Sequence, residues 1–237
     1  MFVVEGRLIV RRLLPLIAAG QFELTSLLVT STALQALSDV LPDSLPWPVY
    51  VCRPSVVRAV TGFNFHRGCL ALARRPNIEM TIDRLPDSPR LIALEGVGNP
   101  DNVGGLFRVA GTLTVGGVIL DRTCADPLYR KAIRTSMGAT LRVPFVRVQD
   151  WLSALSQLRT RGYRLIALTP DPEAVSLETL KPTARDRLVL MLGSEGSGLQ
   201  PATLALADAR VRIPMDPDAD SLNVVVAAAI ALHALQF

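Results

Sequence analysis

Residues Asn99 to Gly111 read NPDNVGGLFRVAG. An Asn-Pro turn, a second Asn, a Gly pair and one Arg lie within a single short stretch. The pattern predicts a helix over 103–115 with Asn102 as its N-cap, accepting a backbone N–H of the first turn. Gly104 and Gly105 leave that turn without side chains, so a ligand can approach its amides. Leu106, Val109, Ala110 and Leu113 fall at i, i+3, i+4 and i+7, a core-facing stripe. Arg108 projects roughly opposite that stripe at about 100° per residue. Taken alone, the stretch is equally a capped helix with a solvated arginine.

Outward from this stretch, residues 90–237 alternate regularly. Strand-like runs are Leu91–Glu95, Gly117–Asp121, Val143–Val148, Tyr163–Leu168, Arg187–Leu192 and Ala209–Ile213. Helix-like runs cover 103–115, 128–137, 150–161, 201–207 and 222–236. Alternation of this kind predicts an α/β fold with a parallel sheet covered on both faces. Asp83–Pro89, polar and with two prolines, predicts a linker. Ahead of it, 1–84 reads as a small α/β module. Its helices are expected at Arg7–Ala19, Thr32–Ser38 and Ser55–Val60, and its strands at Ser26–Val29, Val49–Cys52 and Cys69–Ala73. Two domains follow, 1–84 and 90–237. Met1–Gly6 runs almost directly into the first helix, which leaves room for an extension ahead of Met1.

Composition narrows the class. Of 237 residues 49% are apolar, ample for a core, and the formal net charge is +4 with a pI near 9.3. A moderately basic chain fits a nucleic-acid partner without demanding one. Lys131 and Lys181 are the only lysines. Arginine suits forked phosphate contacts and base stacking, although a GC-rich genome also favours its codons. Cys52, Cys69 and Cys124 form no CxxC pair, which argues against a disulfide scaffold or a zinc site. The amino terminus has no basic stretch leading into a long apolar run, so no secretory signal is expected. Val224–Leu232 is too short to span a bilayer. The expected setting is cytoplasmic, with no membrane and no metal.

Three loops after strands could carry chemistry, since ligands bind parallel sheets at the carboxyl ends of their strands. The first is the opening stretch. The second is Leu192-Gly-Ser-Glu-Gly-Ser-Gly-Leu199, whose glycines let backbone wrap a small molecule; such loops are also plain turns. The third runs from Ile213-Pro-Met215 to Ser221-Leu-Asn223, with Ser221 as the expected N-cap of the last helix. Asn223 is then an amide inside an apolar helix start and needs partners. The common phosphate and dinucleotide fingerprints and the GxSxG elbow are absent. His66 and His233 are the only histidines. His233 reads as packed within the last helix. Phe63 and Phe65, beside His66, either stack on bases or fill the core of the small module.

The ordered set NPDNVGGLFRVAG, LVLMLGSEGSGL and RIPM…SLNVVVAAAIALH resembles the three motifs of the SpoU (TrmH) group of SPOUT RNA methyltransferases, over nearly all of 90–237. Residues 1–80 resemble, more weakly, the ribosomal-protein-L30e-like module that precedes this catalytic domain in many members. His66-Arg67-Gly68 looks like that module's HQG-type segment, with Arg in place of Gln. The resemblance implies a SPOUT-type parallel sheet with a C-terminal trefoil knot, behind a small L30e-like α/β domain. It implies S-adenosylmethionine as cofactor, contacted by Gly193, Ile213 and Leu222, with Leu192 and Met215 lining the adenine pocket. Asn102, Arg108, Glu195, Ser221 and Asn223 match the family's polar catalytic set, and Arg108 is the family's proposed base. The implied reaction is methyl transfer to a ribose 2′-hydroxyl of ribosomal or transfer RNA by a homodimer, ribosomal RNA being slightly favoured.

Two positions depart from the family pattern. Pro217 stands where many members have Gly, and Val225 where many have Ser. RNA contacts are expected from His66 and Arg67 and from Arg130, Lys131 and Arg134. The last three lie in a block, Arg122–Arg147, that holds six cations against Asp126 alone. On charge alone that block is equally a solvated face. Two other functions compete: a non-catalytic RNA-binding homologue acting in assembly, and a phosphate-ester hydrolase, which would lack a metal cluster and a suitable histidine.

Overall fold

The computed structural model describes residues 1–61, 68–75, 81–183, 185–216 and 221–235. The larger sheet has seven parallel strands, ordered β7-β6-β5-β10-β8-β11-β9. These are β5 Arg90–Leu94, β6 Gly117–Leu120, β7 Phe145–Arg147, β8 Tyr163–Leu168, β9 Val175–Ser176, β10 Arg187–Leu192 and β11 Ala209–Arg212. The central runs, RLIAL in β5 and RLVLML in β10, are apolar without alternation because both faces are covered. Leu188, Leu190 and Leu192 face a core shared with helices α4 (Pro100–Thr112) and α8 (Val224–Ala234). Val189 and Met191 face the opposite core with α6 (Trp151–Thr160). The expected parallel α/β architecture is therefore present. The last strands enter late: β10 lies between β5 and β8, and β11 outside β8.

The smaller sheet is ordered β1-β4-β2-β3, from β1 Phe2–Glu5, β2 Glu23–Val29, β3 Val49–Val51 and β4 Cys69–Arg74. Its pairs β1–β4 and β4–β2 are antiparallel, and β2–β3 is parallel. Helix α1, Arg7–Ala18, packs Ile9, Val10, Leu13 and Leu14 against it. Helices α2 (Ser31–Gln35) and α3 (Pro54–Thr61) complete the module. β1 and β9 were not anticipated, and both are short.

The two parts are joined by more than a linker. Leu128, Ile133 and Leu141 belong to the same buried cluster as Phe2, Ile9, Leu13 and Leu27. The helix α5, Arg130–Thr135, thus packs between the sheets. Arg130 reaches the buried Glu5 at 3.4 Å, Arg75 pairs with Asp126, and Arg12 donates to the Met137 carbonyl. The Asp83–Pro89 stretch is also docked. Ile82 and Leu85 enter the core around α6, and the Tyr163 hydroxyl donates to the Ser88 carbonyl at 2.7 Å. Pro86 follows the turn at 82–84, Pro89 leads into β5, and Leu85 holds the stretch to the core around α6.

Candidate active site

Helix α4 starts three residues earlier than expected. Asn99, not Asn102, is the N-cap: its Oδ1 accepts the Asp101 N–H at 2.9 Å. Pro100 takes the first helical position, where its missing N–H costs nothing and its φ is preset. Asn102 is consequently inside the helix and 7% exposed.

Gly104 and Gly105 do not open the helix to a ligand, because neighbouring helices occupy that space. A Cβ on Gly104 would lie 2.6 Å from the Ala132 carbonyl oxygen of α5. One on Gly105 would lie 2.7 Å from a Val225 methyl of α8. The Gly pair lets two helices cross α4 closely. Arg108 is exposed, as its phase required. It stands one turn beyond the Gly pair on the same helix. Among the described residues its guanidinium has no hydrogen-bond or ion-pair partner.

The second loop leaves β10 at Leu192 and doubles back on itself. The Gly198 N–H donates to the Ser194 carbonyl at 3.1 Å, and the Ser194 and Ser197 hydroxyls lie 2.6 Å apart. A Cβ on Gly193 would fall 2.1 Å from the Gly198 carbonyl carbon, so the loop closes only with glycine there. Gly196 and Gly198 have positive φ, 98° and 65°. The third loop runs on from β11. Its helix is capped by Asn223 rather than Ser221: Asn223 Oδ1 accepts the Val225 N–H at 2.9 Å. That bond turns the amide nitrogen away from the helix. Asn223 Nδ2 donates to Glu195 Oε1 at 2.9 Å and to Asn102 Oδ1 at 3.2 Å. One side chain so joins all three loops.

The second and third loops and the end of β8 enclose a cavity of about 260 Å³ at the carboxyl ends of β8, β10 and β11. Leu192, Gly193, Ile213, Met215 and Leu222 all line it, as do Glu195 and Ser221. Asn102, Arg108 and Asn223 are not in the wall; Asn102 and Asn223 reach it through Glu195. Thr169 and Pro170 also line it and were not anticipated. They end a strand without a glycine signal; only their place after β8 could have flagged them.

The expected RNA contacts divide. Arg134 is exposed. Lys131 pairs with Asp101 at 2.7 Å and Arg130 with Glu5. Lys131, then the Thr135 hydroxyl, hold the Asp101 carboxyl below the usual range. Arg147 turns inward, donating to the carbonyls of Arg122, Cys124 and Ala125 at 2.9–3.2 Å. His66 and Arg67, with Phe63, Phe65 and Pro217, lie outside the described residues. His233 is exposed rather than packed, because the last helix turns that side outward. Burial pushes the Cys69 and Cys124 thiols up to about 12, which makes both poor nucleophiles. Among the described residues there is no metal-binding group and no helix long and apolar enough to cross a membrane.

Comparison with known proteins gives the family. The model of the SpoU rRNA Methylase family matches residues 89–233. An uncharacterized tRNA/rRNA methyltransferase of Mycobacterium bovis is 41% identical over 98% of this chain and 79% of its own. A 23S rRNA (guanosine-2′-O-)-methyltransferase of a Burkholderia species is 34% identical over 75% of this chain and 72% of its own. The SpoU methyltransferase AviRb of Streptomyces viridochromogenes, solved with AdoMet, shares the fold. It has a TM-score of 0.79 at 23% identity, over 98% of this chain and 88% of that one. With the family model spanning the larger sheet and a relative 41% identical over nearly the whole chain, the chain belongs to the SpoU rRNA methylase family.

Proposed function

We propose that this chain is an S-adenosylmethionine-dependent RNA methyltransferase acting on a ribose 2′-hydroxyl. The observation that carries the reading is the cavity. The five residues expected at the cofactor meet there, and Asn223 ties its Glu195 to Asn102. The wall combines apolar side chains, loop backbone and one carboxylate. That chemistry suits a ligand with an aromatic base, a ribose and a cationic sulfonium, so the residues fit the cofactor. Leu192, Ile213, Met215 and Leu222 would flank the base, and the 193–198 backbone would follow the ribose.

S-adenosylmethionine supplies a methyl group already activated on sulfur. The work left to the protein is to orient the hydroxyl and manage charge. Asn223 fixes Glu195 and Asn102 relative to each other, and Asn102 keeps its own amide N–H groups for substrate. Guanidinium groups hold their proton in proteins, so Arg108 acts by charge rather than as the base. It stabilises the developing alkoxide or holds an adjacent phosphate. Arg134 adds to that cationic face, and ion pairs as exposed as Lys131–Asp101 yield readily to a phosphate. Residues 1–84 form an L30e-like RNA-binding domain and 90–237 the catalytic domain. The late insertion of β10 and β11 supports a trefoil knot. The exposed Leu222, Val226 and Ile230 support a homodimer through α8. The setting is the cytoplasm, and the favoured substrate is ribosomal RNA.

The test is calorimetry with S-adenosylmethionine, with methyl transfer measured on unmodified ribosomal and transfer RNA. Wild-type protein binds and transfers. Arg108→Ala binds normally and loses at least about 100-fold in transfer, the scale of removing one charge-stabilising group. Normal turnover by Arg108→Ala would remove Arg108 from the site, and a wild type that never binds cofactor would favour the non-catalytic homologue.

A further inference from the structure

Glu95 follows β5 directly and carries a carboxylate that the three motifs do not account for. It is 8% exposed. A buried carboxylate is costly unless its oxygens are met by donors. Oε1 accepts the Thr203 hydroxyl at 2.8 Å, and Oε2 accepts the Gln200 backbone N–H at 3.0 Å. Thr203 is itself fully buried, and its Oγ1 accepts the Trp151 Nε1–H at 2.9 Å. The Glu95 backbone N–H donates to the Leu192 carbonyl at 2.9 Å.

One residue therefore grips both ends of the same segment. Its backbone holds the chain where it leaves β10, and its side chain holds it at the start of α7, Pro201–Leu206. Between those grips lie Gly193, Glu195, Gly196 and Gly198, all in the cavity wall. A glycine-rich segment loses much freedom when ordered, so it needs restraint at its ends.

We propose that Glu95 is a positioning residue for the cofactor loop, its carboxylate fixing residues 192–200 in the shape that takes S-adenosylmethionine. The proposal rests on the cofactor reading of the cavity. Glu95 acts through Gln200 and Thr203.

Glu95→Ala and Glu95→Gln test it, read by calorimetry with S-adenosylmethionine, steady-state kinetics, melting of the ligand-free protein, and amide exchange across 193–199. Glutamine keeps the shape and the Gln200 bond: its oxygen still accepts from Gln200, and its amide can donate to Thr203 Oγ1 with the Thr203 O–H turned aside. Alanine leaves both donors unmet. Cofactor affinity falls about tenfold or more in Glu95→Ala and stays within about threefold in Glu95→Gln. KM for the cofactor rises in step, while kcat at saturation moves less than about twofold. Amide exchange across the loop quickens in Glu95→Ala and not in Glu95→Gln. If Glu95→Ala does not fold, Thr203→Val removes one of the carboxylate's two hydrogen bonds and shows the same effects in smaller measure. A lowered melting temperature with unchanged affinity and exchange overturns the proposal, as does equal damage from alanine and glutamine. If the wild type fails to bind S-adenosylmethionine, the cavity reading falls instead, and loop exchange still decides the role of Glu95.

Discussion

Gly104–Gly105 and Gly193–Gly198 look alike in sequence, and both sit beyond the carboxyl end of a central strand. Their missing side chains serve opposite ends. In α4 the Gly pair is buried and admits the Ala132 carbonyl and the Val225 methyls, so helices can close on it. In the loop, Gly193 admits the loop's own backbone, and the space enclosed stays open as a cavity. Glycine marks close approach in both places; which partner approaches decides whether the result is packing or a site.

Substitutions should separate the two roles. Gly193→Ala places a Cβ 2.1–2.4 Å from the Gly198–Leu199 peptide, so the loop must reopen. The expected outcome is a loss of S-adenosylmethionine affinity of about 100-fold, roughly 2.7 kcal/mol, with denaturant stability almost unchanged. Gly104→Ala should do the reverse. Overpacking costs about 1–3 kcal/mol, and alanine's better helix propensity returns up to about 1 kcal/mol. A net loss near 2 kcal/mol by urea titration is expected, with cofactor affinity of the folded protein kept. If Gly104→Ala weakened binding without loss of stability, the packing role of the pair would fail.

The smallest effect concerns acid. Lys131 and Thr135 depress the Asp101 carboxyl at the α4–α5 crossing. A depressed folded value means stability present above the unfolded carboxyl range, about 3.9, and lost as pH falls through the folded value. Asp101→Asn should flatten that part of the acid limb, read as stability against pH from 5 to about 2. Since the Asp101 side chain is 42% exposed, solvent screens the pair and the difference is slight.

Much of this molecule was legible in its sequence. The runs that form β5, β6, β8 and β10 are apolar enough to declare a sheet covered on both faces, and the loops after β8, β10 and β11 hold the cavity residues. The misses have physical causes. Phe2–Glu5 is short and lacks alternation, so only its pairing with β4 reveals a strand. The caps were misassigned at Asn102 and Ser221 because several Asn and Ser candidates lie near each helix start. Pro100 and the Asn223–Val225 bond decide between them. The Gly pair looks like an opening in the sequence because no local signal shows that α5 and α8 cross there. Asn223 and Asn102 are 121 residues apart, and no spacing rule announces that contact.

The cluster of Leu128, Ile133 and Leu141 with α1 and the small sheet bears on how such a chain can change over generations. A joint made only of loop would let the amino-terminal part be exchanged like a tool head. Here an exchange would leave three large apolar side chains and the Arg130 guanidinium facing water. Any replacement must bring a matching face for α5, the same helix that presses on Gly104. Change in the amino-terminal part is therefore reached more readily by altering its solvent-facing side chains than by recombination at Asp83–Pro89.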